Sequence, residues 1–227
     1  MNYEFDQELD RLRIDTLSMF YTVRDAVDKA MRAVRQRDLK LSNAVRDGDE
    51  AIDLLECQTE ALGLRLLALK QPVARDLRLI MGTMRIASNL ERIADEAVNI
   101  VDRNLILMER PPFEDAPSVW RLGEACLDDF DKVARSFADN SFEMAQDLRN
   151  TQDMTTSLHM QAFRDLTDTM IQHSRAVERA VQLSFISYSL KRICDRCVNI
   201  SESVIFITKG LDVKHKSCDP QEYAASA

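Results

Sequence analysis

Two segments of this chain, 100 residues apart, are copies of one another. Asn89-Leu90-Glu91-Arg92-Ile93-Ala94-Asp95-Glu96-Ala97-Val98-Asn99-Ile100 lies over Ser189-Leu190-Lys191-Arg192-Ile193-Cys194-Asp195-Arg196-Cys197-Val198-Asn199-Ile200, with seven of the twelve positions identical. Each copy belongs to a longer apolar seam with steps of four and three. The first seam carries Ile86, Leu90, Ile93, Ala97, Ile100 and Leu107; the second carries Ile186, Leu190, Ile193, Cys197, Ile200, Val204 and Ile207. Such spacing is the signature of a helix with one buried face. Alternating steps of four and three suit near-antiparallel bundle packing at roughly +20°. A chain that carries this helix twice reads as a duplicated helical unit.

The flanking sequence supplies the remaining helices. Only five Gly and five Pro occur in 227 residues, too few for a sandwich or barrel that needs a turn every ~8–12 residues. A first helix spans Phe5 to Val34, with Leu9, Leu12, Thr16, Met19, Val23, Ala26, Ala30 and Ala33 at helical spacing. Asp38 is placed to cap a second helix through Leu54, Leu62 and Leu66 to Leu69, with Gly48 as a weak point. Gln71-Pro72 stops it, and Pro72 suits the first position of a third helix ending near Met108. Pro111-Pro112 to Pro117 is a Pro-rich break close to the midpoint. Beyond it come a helix from Val119 to Phe137, a turn at Asp139-Asn140-Ser141 and a helix reaching Gln172. Ser174 is then placed to cap a last helix that stops at Gly210. The expected fold is all-α, a tandem repeat of two antiparallel three-helix bundles over residues 1–110 and 118–210, with a frayed tail over 211–227.

Charge and composition exclude several classes of function. The formal charge of −8, without clustered Lys or Arg, argues against nucleic acid and against tight attachment to anionic lipid. No stretch approaches the ~20 apolar residues of a membrane span, and Met1 to Asp10 lacks a signal-peptide pattern. Five irregularly placed cysteines do not form a secreted disulfide framework. A cytoplasmic protein is expected, meeting membranes only through partners.

The candidate chemistry runs beside the apolar seam. Glu91, Asp95, Asn99 and Asp102 form a polar stripe in the first copy, and Glu91 and Asp95, four apart, stack on one face. Paired carboxylates call for a neutraliser: a hard cation with oxygen ligands or arginines from neighbouring helices. The second copy offers Asp195, Asn199 and Glu202. Arg75, Arg78, Arg85 and Arg92 recur along the third helix, where they can contact an acidic partner or phosphate or pair with the stripe. Cys194-x-x-Cys197 with His215-x-x-Cys218 has the count for zinc, but Cys197 falls on the apolar seam. Di-iron Glu-x-x-His pairs, Gly-rich phosphate loops and nucleophile elbows are all missing, so nothing supports an enzyme. No helix N-terminus offers an anion nest; direct phosphate binding is not expected, and a bound cation would be the bridge.

Leu90-Glu91-Arg92-Ile93-x-Asp95-x-x-x-Asn99-Ile100, its second copy, the approach Leu67-Ala68-Leu69-Lys70-Gln71-Pro72-Val73-Ala74-Arg75-Asp76-Leu77-Arg78 and the Ile52-Asp53-Leu54 segment resemble the PhoU family from about residue 5 to 210. The resemblance implies two homologous three-helix bundles, commonly dimeric. It also implies negative regulation of phosphate uptake and of the phosphate-starvation response, through a phosphate ABC transporter and a phosphate-sensing histidine kinase. Several members bind metal ions, iron or zinc clusters among them, through Glu-x-x-x-Asp motifs; on this chain the first is Glu91 and Asp95. The second departs from the pattern, because Lys191 stands where the family has Glu, and a protonated Lys cannot ligate a cation. The positions after the motif Asp, often His in the family, are Glu96 and Arg196. The expectation is unequal metal binding, with the first repeat the more competent.

Overall fold

Local chemistry sets most of the helix boundaries. The carboxylate of Asp38 accepts from the backbone N–H groups of Lys40 and Leu41 at 2.7 and 3.2 Å, satisfying donors that a helix N-terminus leaves open. At the far end Gly210 takes φ +73, the left-handed conformation that closes a helix at low cost in glycine. The computed structural model describes residues 3–113, 116–149 and 151–213, and all regular structure among them is helical. The helices are α1 (Tyr3–Gln36), α2 (Leu39–Lys70), α3 (Ala74–Met108), α4 (Pro117–Ala138), α5 (Phe142–Arg149), α6 (Gln152–Gln172) and α7 (Val177–Lys209), with one 3-10 turn at Ser174–Ala176. Helices α1 to α3 form the first bundle; α4, the α5–α6 pair and α7 form the second.

Three boundaries differ from the sequence reading. Pro72 lies outside α3, which starts at Ala74 after an extended Val73 (φ −120, ψ 154), because Gln71 has already ended α2 in the left-handed region at φ 48. The long helix expected up to Gln172 is broken in two without a Gly or Pro. At the turn between them the Thr151 hydroxyl donates to the Leu148 carbonyl at 2.7 Å and lies 3.3 Å from the buried Asp129 carboxylate. Ser174 makes no capping hydrogen bond and sits in the 3-10 turn; α7 starts three residues later. Gly48 leaves α2 unbroken. Of the tail, residues 214–227 lie outside the described residues.

Both seams are buried as the spacing requires, every member at 7% exposure or less. Fully burying an Ile or Leu contributes roughly 1.5–3 kcal/mol, so the seams contribute a substantial part of the cohesion. One apolar core runs through both bundles. Phe20 of α1 meets Phe130 and Phe137 of α4 with ring centroids 5.8 and 5.7 Å apart. A polar residue also ties the first bundle together: buried Asn104 donates to the Ala33 carbonyl and to Ser42 Oγ, both at 3.0 Å.

The two copies pack on each other. Glu96 of α3 pairs with Arg192 of α7 at 2.7 Å, Asn199 donates to Asn89 at 3.5 Å, and the Arg103 guanidinium lies 4.4 Å from the Phe185 ring centre. The partners run in opposite directions along the chain, so α3 and α7 are antiparallel. Gly82 permits the close approach: a Cβ there would stand 2.4 Å from Ile207 Cγ1 and 3.4 Å from the Ser203 carbonyl oxygen. Overpacking a core costs typically 1–3 kcal/mol. Gly82→Val is therefore expected to lower unfolding stability by about 2 kcal/mol in urea titration, whereas a helix-propensity effect alone would leave it unchanged or raised.

Candidate functional site

On α3 the Glu91 carboxyl is pushed up to about 7, first by burial, then by Asp95, Glu56 and Asp53, with Arg92 opposing. Burial, followed by Asp53 and Asp95, also raises Asp49. The fold therefore sets Asp49, Asp53 and Glu56 of α2 against Glu91 and Asp95 of α3. Among the described residues no Lys, Arg or His lies within ion-pair distance of any of the five. The three α2 carboxylates were not singled out from the sequence. Their signal was the Asp49-x-x-x-Asp53 step, which shares one helix face with Glu56, but only the α2–α3 register shows what that face meets.

The rest of the stripe is engaged elsewhere. Asp102 pairs with Arg46 at 3.5 Å, and Asn99, exposed, donates to Glu96 at 3.4 Å. In the second copy Lys191 pairs with Asp195, one turn along the same helix. Beside them His159 of α6 shares a hydrogen bond with Ser187 at 2.9 Å, and burial, helped by Lys191, lowers its pKa. Glu202 meets Arg149 at 3.5 Å, and Asn199 meets Asn89 across the seam. Where the first repeat gathers carboxylates, the second presents a lysine, an aspartate and a neutral-leaning histidine.

The arginines do not form one stripe. Arg75 is exposed at the start of α3, and Arg78 lies against Gly210 at the end of α7. Arg85 lies over the Phe206 ring at 4.9 Å and pairs with Asp212 at 3.8 Å, while Arg92 enters the α3–α7 seam. Cys194 and Cys197 are buried in the core beside Cys126, whose thiol is pushed well up by its hydrogen bond with Cys194 and by burial; His215 and Cys218 lie outside the described residues. Among the described residues no three His, Cys, Asp or Glu side chains converge on a ready-made metal position. No helix among them is long and apolar enough to cross a membrane.

Fold and site together define a duplicated all-α bundle with an acidic face on its first repeat and a charge-neutralised counterpart on its second. The PhoU domain model matches residues 16–103 and 119–204: the chain belongs to the PhoU family. It is 34% identical over 210 residues to the phosphate-specific transport system accessory protein PhoU homolog of Aquifex aeolicus, covering 92% of this chain and 95% of that one. It is 30% identical over 219 residues to the phosphate-specific transport system accessory protein PhoU of Serratia marcescens, covering 96% and 90%. The crystal structure of PhoU from Pseudomonas aeruginosa superposes with a TM-score of 0.88 at 29% identity, over 91% of this chain and all of that one. These likenesses bear out the all-α repeat fold and the family resemblance read from the sequence.

The raised Glu91 pKa has a signed consequence. A carboxyl that holds its proton more tightly when folded adds stability below its ordinary value of 4.5 and loses that contribution as pH rises through about 7. In chelator, Glu91→Gln is expected to remove this loss. The variant should gain stability over the wild-type chain between pH 5 and 8 in urea titrations, whereas parallel pH profiles would contradict the assignment.

Proposed function

We propose that the protein is a non-catalytic, cytoplasmic regulator of phosphate uptake, acting as a homodimeric adaptor between a phosphate ABC transporter and a sensor histidine kinase. It lowers uptake and holds the phosphate-starvation response off when phosphate is plentiful. The observation that carries this reading is the double PhoU match across most of the chain, together with relatives named as accessory proteins of the phosphate-specific transport system. The charge of −8 suits basic partner surfaces. Of the arginine candidates, Arg75 is the best placed for a partner, beside exposed Val73 and Leu77 at the α2–α3 tip; Arg78 packs against Gly210 and Arg85 pairs with Asp212.

The five carboxylates, none in an ion pair among the described residues, support a second element of the proposal. Their chemistry fits a divalent cation or an iron or zinc cluster, with Glu91 and Asp95 joined by Asp49, Asp53 and Glu56 as oxygen donors. These side chains would have to draw together around the ion, which would relieve their mutual repulsion. Asp195, held by Lys191, lacks comparable donors, and Asn99, Asp102, Asn199 and Glu202 are committed to protein contacts. The same observation favours a rival reading, a metal-handling or phosphate-handling accessory of another transporter.

Deleting the gene in its native host is expected to raise alkaline phosphatase activity in phosphate-rich medium; unchanged low activity would remove the regulatory reading. Metal content after loading and desalting should fall on Glu91→Gln with Asp95→Asn and stay the same on Asp195→Asn. Equal losses from the two repeats would overturn the unequal assignment.

A further inference from the structure

The α3–α7 seam contains a charge arrangement that the repeat makes conspicuous. The pairs Glu96–Arg192 and Asn89–Asn199 define the antiparallel register, and that register sets Arg92 opposite Arg196. Because the two copies are offset by 100 residues, Arg92 and Arg196 occupy the positions related by the duplication to Arg192 and Glu96. On one side of the crossing an arginine meets a buried glutamate. On the other side an arginine meets an arginine.

The neighbours of this pair do not neutralise it directly. Among the described residues no carboxylate lies within ion-pair distance of Arg92 or Arg196. Both line a cleft of about 380 Å³ with Ser88, Asn89, Asn199 and Ser203, and both also border the recess beside Glu91, Asp95 and Glu96. The acids that share the larger cleft have other cations: Glu202 has Arg149 and Asp212 has Arg85. Glu96 is held by Arg192. Arg196 is half-buried and Arg92 is exposed; like charges facing each other repel, and an anion held between them would relieve that repulsion.

We propose that the seam between the two repeats binds a phosphate-class oxyanion, clamped by Arg92 from α3 and Arg196 from α7. Guanidinium groups present paired N–H donors that match a tetrahedral oxyanion. The Ser88 hydroxyl and the second N–H of each of the Asn89 and Asn199 amides supply further donors on the cleft wall. The expectation of no direct phosphate contact rested on helix termini, and this site is built instead from side chains of two helices. Its ligand is either the free ion or the phosphoryl group of a larger molecule, for which the cleft has room. The inference does not depend on the regulatory reading.

The test is isothermal titration at low ionic strength in chelator, which removes any cation bridge, with inorganic phosphate, sulfate and AMP as separate probes. Wild-type protein is expected to bind phosphate or AMP. Arg196→Glu recreates on this side the ion pair present on the other; it should fold with unchanged helicity and bind at least tenfold more weakly. Arg75→Glu, the same charge change at an exposed site, should bind as wild type. Binding of phosphate identifies the free ion, and binding of AMP alone identifies a phosphoryl group on a larger ligand; both support the clamp. Absence of binding by all three probes, or equal weakening by Arg196→Glu and Arg75→Glu, would overturn it.

Discussion

The contact between α3 and α7 organises the molecule. Each of these helices is the apolar spine of its own bundle, and each also presents a second face to the other. Glycine at position 82 lets the backbones approach, and the buried Glu96 carboxylate, paired with the solvent-exposed Arg192, fixes the register. Such a pair contributes more to register than to net stability, because the desolvation cost of the buried Glu96 offsets much of its attraction to Arg192. The orientation of every outer helix follows, since α1, α2, α4, α5 and α6 pack around the two spines.

Duplication has left the two repeats alike in packing and unlike in charge. Hydrophobic seams tolerate exchange among apolar residues of similar size, so Ala97 and Cys197 fill equivalent places without consequence for the fold. The polar faces follow a different rule. Glu91 and Lys191 are equivalent in position and opposite in charge, and each sets the state of its neighbours. Glu91 gathers negative charge with α2 that Arg92 only partly opposes, and Lys191 neutralises Asp195 and disfavours protonation of His159. Charge asymmetry of this kind lets one fold offer two different surfaces.

Legibility from the sequence divided along the same line. The helical period, the two seams, the Asp38 cap and the Gly210 stop are local properties, and they were readable as such. The turn between α5 and α6 was not, because no Gly or Pro marks it and the contact Thr151 makes there, with Asp129, reaches 22 residues back along the chain. Nor was the fate of the polar stripe: a one-helix view puts Asp102 with Glu91 and Asp95, but Arg46 from α2 claims it.

The sequence by itself determined an all-α, duplicated architecture, membership of its family and the loss of the acidic motif in the second copy. Each of these rests on residue type and spacing along one helix, and helical geometry converts spacing directly into faces. Tertiary structure alone decided which carboxylates of α2 join Glu91 and Asp95, and that Arg92 faces Arg196 rather than an acid. Those outcomes depend on the registers between helices, which are set by packing of whole surfaces such as Gly82 against Ile207.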